Sequence, residues 1–553
     1  MRPSARRYTQ THAQSQQNFA IVKKRLNVVV IALSIIQLFV SGAIINKAYM
    51  ATKEPQAQAK DYFAKEIRRG SIYDAKGVLL ATSLKVNSLY ADPKMMMDTN
   101  DAIFKLKKAL PSLNVETLKR KLGNKRRRFV WIKRNLSPKQ AYKINSLGIP
   151  GFAFKQEYFR TYPNGSLAAH ILGYINRNGK GVVGVEKVFD EQLKNGEDVH
   201  LTIDSTLQST LRESLANKLL KTNASSAWAI ALHPQDGSVL ASVSLPDYDA
   251  NFYNKASPEQ WKDRTVSDVF EMGSINKTYT YALGFDKQII NLNSILDATR
   301  PIRIGKYRIR DAYPKSKWLS TVDAFKYSSN IAASRVADEL TVDQQKEFFK
   351  QMNLLEPLDY DLGTTAAPII PEDKSWKRLK KMTLSYGYGL ATTPLQAVAS
   401  LSSIGNDGYY VKPKFVKDTQ TEKVKIVSDE TVSKMKRLFS ATVEGGTGRR
   451  ARVKGYLIGG KTGTAEILEK SGEYNKKQNL ATFIGFAPLD KPEFIVLVGV
   501  NSPQGKLSGG GSAAAPIFRE FAQKAFAILN IRPSLYKMQD KGQDILKYNK
   551  GKL

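Results

Sequence analysis

The sequence predicts an α+β architecture carried outside a membrane, and three observations predict it. One apolar stretch stands near the start of the chain. Two strand-turn-strand patterns stand at opposite ends of the C-terminal region. A largely helical stretch separates them. Strands from both ends, joined in one antiparallel sheet and flanked by the intervening helices, make a layered α+β domain. At 553 residues the chain exceeds one ordinary core, so more than one domain is expected.

The apolar stretch is residues 26–45, LNVVVIALSIIQLFVSGAII. Its length matches the roughly 20 residues a helix needs to span the hydrocarbon core. Arg2, Arg6, Arg7, Lys23, Lys24 and Arg25 precede it, and the first acidic residue is Glu54. The positive-inside rule then makes 1–25 a basic cytoplasmic tail, 26–45 an uncleaved single-pass anchor, and the rest of the chain external. A cleaved signal peptide would have a shorter apolar core, of roughly 7–15 residues. Ser34, Gln37 and Ser41 fall on one helical face, where a partner helix could meet them.

Residues 46–203 read as a mixed, extended pedestal with few long helical patterns. RRGSIYDAKGVLLATS (68–83) is strand, turn at Ala75-Lys76-Gly77, strand. FRTYPNGSLAAHILGYI (159–175) is a Pro-Asn-Gly turn and a short helix, and GVVGVEKVFDEQLKNG (181–196) is Gly-rich and then helical. EDVHLTID (197–204) alternates like a strand and leads into the next domain.

Residues 204–530 form that domain. STLQSTLRESLANKLLKT (205–222) has helical spacing, and SAWAIALHPQDGSVLASVSL (226–245) is a hairpin around His233-Pro-Gln-Asp-Gly237. ATFIGFAPLDKPEFIVLVGV (481–500) repeats that design, and SAAAPIFREFAQKAFAIL (512–529) is a closing helix. The Lys-rich residues 531–553 are a basic tail.

Composition removes several chemistries. There is no cysteine, which excludes thiol catalysis, cysteine zinc sites and disulfides. The four histidines (His12, His170, His200 and His233) show no metal-ligand spacing. The net charge of +35 fits a polyanionic partner, and KRKLGNKRRRFVWIKR (119–134) mixes basic and aromatic residues as an RNA-binding surface would. Export argues against nucleic acid and leaves a solvated basic face beside a short strand.

The chemistry centres on Ser274-Ile-Asn-Lys277, preceded by Gly273 and followed by an apolar run. The spacing alone decides nothing, because Ser433…Lys436 and Ser534…Lys537 share it. Three apart on a helix, the two side chains share a face, and a helix start offers free N–H groups to an oxyanion. Lysine can activate the serine only when neutral, which requires lowering its pKa of about 10.4 by some three units, roughly 4 kcal/mol. Burial and a second cation supply such a shift. A second lysine stands in GGKTGTAE (459–466), which reads as a glycine-bordered strand. Lys461 would bind a substrate carboxylate and depress its neighbour's pKa, and Gly463 would let a substrate backbone approach as an added strand. Between them, Ser328-Ser-Asn330 opens a helical pattern. Ser328 would relay a proton, and Asn330 would orient Lys277 and a substrate carbonyl.

S-x-x-K, S-x-N and K-T-G in this order, here 54 and 133 residues apart, resemble the motif set of penicillin-binding proteins and serine β-lactamases. RRGSIYDAKGVLLATS, RFVWIKRNL, FRTYPNGSLAAHILGYIN and GVVGVEKVFDEQL are similar to the pedestal of class B penicillin-binding proteins. YGYGLATTPLQAVASLSSIGNDG (386–408) and ATFIGFAP are similar to their transpeptidase domain. Glu271, Glu466 and the modest length resemble the division-type, septal branch. Met272 stands where the family usually has Pro, which would preset the helix start; methionine there would loosen that start and affect β-lactam acylation.

The resemblance implies a single-pass protein of the bacterial cytoplasmic (inner) membrane that cross-links the stem peptides of peptidoglycan. Ser274 would form an acyl-enzyme on D-Ala-D-Ala and release D-Ala. The N–H groups of Ser274 and Thr464 would form the oxyanion hole, and Thr462 and Thr464 would hold the substrate carboxylate. It implies no metal and no cofactor, inhibition by β-lactams, and partnership with a polytopic glycan polymerase and other division proteins. An elongation-type transpeptidase and a membrane-anchored division scaffold with little catalysis are the alternatives. A Ser274→Ala chain that still supports septation would favour the scaffold.

Overall fold

The structure, a computed structural model, describes residues 24–25, 27–43, 68–468 and 474–533. The chain divides into two compact units, 1–67 and 68–553. In the first, residues 27–43 are helical, and Ser34 Oγ donates to the Val30 carbonyl at 2.8 Å, so this polar group is satisfied within its own helix. Among the described residues no helix is long and apolar enough to cross a membrane. Leu26, Ile44 and Ile45, at the ends of the expected anchor, lie outside them, as do the tail residues 1–23 and 534–553.

The second unit begins with the pedestal. Strand β1 (Ile72–Tyr73) turns at Gly77, whose φ of +83° favours glycine, into the long β2 (Leu79–Ala91). β2 pairs antiparallel with β3 (Val130–Leu136) and β4 (Phe152–Thr161), and β1 pairs parallel with β5 (Val199–His200). Three helices that the extended pattern concealed lie on this sheet: α1 (Thr99–Ala109), α2 (Val115–Leu122) and α3 (Pro138–Asn145). Their starts are marked in the sequence. Asp98 and Asn114 cap α1 and α2, and Ser137 with Gln140 forms a capping box at α3. Leu106, Leu118 and Ile144 pack with Leu89, Val130 and Ile132 into a separate small core.

Below this head a buried charge cluster ties distant segments together. Glu186, fully buried, pairs with Arg69 at 2.7 Å and with Arg160 at 2.6 Å, and Arg69 also reaches Asp190 at 2.8 Å. Asp74 then accepts the Ser205 N–H at 3.0 Å and joins the pedestal to the following helix.

The second domain is built on a five-stranded antiparallel sheet. Its strands are β6 (Ser226–Leu232), β7 (Val239–Leu245), β10 (Gly459–Leu468), β11 (Tyr474–Ala487) and β12 (Phe494–Asn501), in the order β10-β11-β12-β6-β7. A two-strand pair, β8 (Phe270–Glu271) with β9 (Ala391–Thr392), lies outside it. Period-two alternation sorts the side chains. Ala227, Ala229 and Ala231 of β6 join one core with α4 (Ser205–Thr222) and α9 (Ala515–Ile528). Trp228, Ile230 and Leu232 face the other core, with α5 (Lys277–Asp286), α7 (Pro394–Gly405) and α8 (Asp429–Gly445). Helix, sheet and helix layers result. Because β10 pairs only with β11, its outer edge is a sheet edge.

Candidate active site

The serine sits where a strand, a tight turn and a helix meet. β8 ends at Glu271, and Gly273–Asn276 make one 3-10 turn that runs into α5 at Lys277. The sequence expectation was a helix opened by Ser274. The tighter turn brings i and i+3 side chains into near eclipse, which serves the pair better. Lys277 Nζ lies 2.6 Å from Ser274 Oγ.

The turn is pressed against the edge strand by glycines. Gly273 has φ +56°, and a methyl built on it would stand 2.8 Å from the Thr464 carbonyl oxygen. A methyl on Gly463 would stand 2.3 Å from the Met272 carbonyl oxygen and 2.2 Å from Thr482 Oγ1. Gly463 therefore makes room for the serine-bearing turn, whereas the sequence reading gave that room to a substrate backbone.

Ser328-Ser329-Asn330 closes the site from a second helix. Ser329 caps α6 (Asn330–Glu339), which places Asn330 in its first turn. Ser328 just before it has φ +61°, a strained conformation for a side chain with a Cβ and one that tends to occur at functional sites. Asn330 Oδ1 accepts from Lys277 Nζ at 2.7 Å, and its amide donates to the Arg310 carbonyl at 2.9 Å. Ser328 Oγ lies 3.3 Å from Lys277 Nζ and 2.8 Å from Lys461 Nζ. The structure thus brings Ser274, Lys277, Ser328, Asn330 and Lys461 into one hydrogen-bonded chain. Thr462, Gly463 and Thr464 follow along β10.

Both lysines are fully buried. Burial holds the Lys277 ammonium down, to about 7, against the Asp311 carboxylate, which raises it. Burial also holds Lys461 well below the usual ammonium range, and the Lys277 cation lowers it further. The sequence reading named burial together with a second cation; for Lys277 the lowering comes from desolvation, and the cation effect acts on Lys461 instead. Among the described residues neither lysine has a carboxylate within ion-pair distance. Lys461 Nζ donates instead to Ser328 Oγ and to the Thr462 carbonyl at 3.0 Å.

Several contributors were not foreseen. Asp311 accepts from Ser329 Oγ and from the Ile331 N–H, holding the start of α6 in place. Thr447 Oγ1 lies 2.7 Å from Thr462 Oγ1, and Gly510 N donates to Thr464 Oγ1 at 3.2 Å. Glu271 accepts from Gly389 N at 2.6 Å and from the Tyr474 hydroxyl at 3.0 Å, and burial pushes its carboxyl pKa up. Gly387 packs directly on Gly273, where a methyl would fall 1.9 Å from the Gly273 carbonyl oxygen. Asp311 and Thr447 are lone residues in unremarkable segments and carry no sequence signal. Gly387 stands in the YGYG stretch of residues 386–389, where the repeated glycines are the available sign.

The family model described as "Penicillin binding protein transpeptidase domain" matches residues 227–523, more than half the chain. The chain belongs to the penicillin-binding protein transpeptidase family. A second model, "Penicillin-binding Protein dimerisation domain", matches residues 64–213, and the two together make this a class B penicillin-binding protein. The chain is similar to the probable peptidoglycan D,D-transpeptidase PenA of Neisseria meningitidis, at 30% identity over 84% of this chain and 85% of that one. It is similar to the peptidoglycan D,D-transpeptidase FtsI of Escherichia coli, at 29% identity over 87% of each. The fold is shared with a peptidoglycan synthetase from Bifidobacterium adolescentis, with a TM-score of 0.68 and 21% identity over 85% of this chain and 96% of that one.

Proposed function

We propose that this penicillin-binding protein is a division-type peptidoglycan D,D-transpeptidase and that Ser274 is its nucleophile. The observation that carries the assignment is the 2.6 Å approach of the buried, carboxylate-free Lys277 to Ser274 Oγ. A lysine held near neutrality at physiological pH can take the hydroxyl proton as Oγ attacks the penultimate D-alanine carbonyl. The C–N bond to the terminal D-alanine breaks, and the proton reaches the leaving amine through Ser328. A neighbouring stem's amine then attacks the ester, Ser274 recovers its proton, and one amide bond has replaced another.

In this reading Thr462 and Thr464 on the open strand edge hold the substrate carboxylate. Lys461, fully enclosed, bears on it through Ser328. Asn330 fixes Lys277 and orients the substrate carbonyl, and the N–H groups of Ser274 and Thr464 receive the oxyanion. The catalytic unit belongs to residues 204–530 and stands on the pedestal of 46–203, outside the inner membrane, with 26–45 as its single anchor. A polytopic glycan polymerase in the same membrane supplies the strands.

Labelling of membranes with a fluorescent penicillin tests the assignment. Wild type gives a band near 61.7 kDa that the Ser274→Ala chain lacks. An unlabelled wild type that is folded would overturn it. Depletion of the chain separates the cellular roles: filaments mark the division type and rounded cells the elongation type.

A further inference from the structure

The pedestal head carries a surface that the transpeptidase reaction does not use. One face of the β2-β3-β4 sheet is buried against α1–α3. On the opposite face, Tyr90 and Trp131 stand side by side in register. Phe129 stacks on Tyr90 with ring centres 4.6 Å apart and meets Trp131 edge-on at 4.9 Å. The Arg134 guanidinium lies over the Trp131 ring, 4.4 Å from its centre. Further along this face Leu84 is 49% exposed and Phe159 36%. Clustered exposed rings are costly in water and mark contact surfaces.

The segment that carries Phe129 and Trp131 is one-sided in charge, and Glu157 of β4, on the same face, lies 3.8 Å from Arg134. Residues 119–134 hold nine basic residues and no acidic one. Only Lys119, Arg128 and Arg134 have a carboxylate within ion-pair distance among the described residues. Arg126 and Arg127, both exposed, have none. A merely solvated face would gain nothing by gathering like charges around open rings, because the charges repel one another. Rings and free cations together fit a ligand with apolar C–H faces and carboxylates.

We propose that this face binds the anionic glycan strand of peptidoglycan: sugar rings stack on Trp131 and its aromatic neighbours, the stem-peptide carboxylates pair with Arg126 and Arg127, and Arg134, held over Trp131 and near Glu157, braces the ring. The proposal rests on the transpeptidase reading, which supplies the polymer. It adds a second contact with that polymer, away from the catalytic serine. An anionic lipid surface would match the charge but not the rings. Trp131 and Tyr90 are partly buried on the sheet face and do not form an inserting wedge.

The test uses the full-length chain in detergent, first acylated with penicillin so that the catalytic cleft is closed, and then pelleted with insoluble peptidoglycan sacculi. The acylated wild type pellets, and high salt weakens the binding. Trp131→Ala combined with Arg134→Ala, and separately Arg126→Glu with Arg127→Glu, each weaken pelleting by about tenfold or more. The second pair lies wholly on exposed side chains and leaves the fold intact. Labelling of both variants by fluorescent penicillin stays at the wild-type level. Acylated wild type left in the supernatant, or variants that pellet like wild type, would overturn the proposal. So would capture by phosphatidylglycerol vesicles without capture by sacculi. Loss of penicillin labelling in wild type would instead strike the transpeptidase reading.

Discussion

Two of the clusters in which the molecule buries cations treat them in opposite ways. In the pedestal, Arg69 and Arg160 are matched by Glu186 and Asp190, so each buried charge has its counter-charge. In the catalytic domain, Lys277 and Lys461 are buried beside hydroxyls, an amide and a carbonyl, with no carboxylate against either amine among the described residues. Arginine cannot lose its proton in a protein, so burying it demands a partner. Lysine can, and burial without a partner drives it to do so. The paired cluster is a structural joint, and the unpaired one is a base in waiting.

The sharpest way to break this comparison is to remove one cation from each place. Lys277→Met takes away the proposed general base and lowers the rate of penicillin acylation by about 10²–10⁴-fold. Its unfolding free energy stays within about 1 kcal/mol of wild type, because the lost hydrogen bonds are offset by removal of a poorly solvated amine. Arg69→Met leaves Glu186 short of a partner and Asp190 without its buried one, and it costs about 3–5 kcal/mol of stability. Acylation by the folded fraction is unchanged. Chemical denaturation and acylation kinetics on both variants check the pair. If Lys277→Met proved as unstable as Arg69→Met, the two clusters would be the same kind of structure.

The pH dependence sharpens the same contrast. The base form of Lys277 grows as pH rises through about 7, so the acylation rate climbs there and levels above it. Asp311 raises this value, so Asp311→Asn moves the midpoint of the rise to lower pH. The linked effect on stability has a definite sign. The lysine binds its proton less tightly folded than unfolded, so this group's contribution to stability increases as pH rises from about 7 towards the unfolded lysine value near 10.4. A rate that fell through pH 7, or a midpoint that moved upward in Asp311→Asn, would contradict the assignment of Lys277 as base.

How much of this was legible in the sequence follows from the same physics. The helix over 205–222 and the hairpin strands around 233–237 announce themselves through periodicity and turn residues, and the structure has them at Ser205–Thr222, Ser226–Leu232 and Val239–Leu245. The pedestal helices did not stand out. They are only eight to eleven residues long, and their lysine-rich faces blur the apolar stripe. Their caps at Asp98, Asn114 and Ser137 were the readable sign. Ser274, Lys277, Ser328, Asn330 and Lys461 were selected by motif order. The distances among them, and the burial that lowers Lys277, depend on packing that no short segment encodes. Gly463 illustrates the limit. A glycine in a strand signals a close approach, but the sequence does not say that the visitor is the carbonyl of Met272.

Met272 itself gives the smallest expected effect. It stands where proline is usual in the family, and the sequence suggested a looser helix start. The structure gives Met272 φ −79°, within the range that a proline ring would fix, and the preceding Glu271 is in a strand, as a residue before proline prefers. Met272→Pro should therefore need no backbone movement. Its entropic gain of about 0.4–1 kcal/mol is opposed by the loss of part of a buried methionine side chain, so stability shifts by no more than about 1 kcal/mol in either direction. The acylation rate changes by less than about fivefold, the equivalent of that free energy. A gain well beyond this would mean that the serine turn is held loosely in the absence of proline, and that the grip of Gly273, Gly387 and Gly463 on it is weaker than their close packing implies.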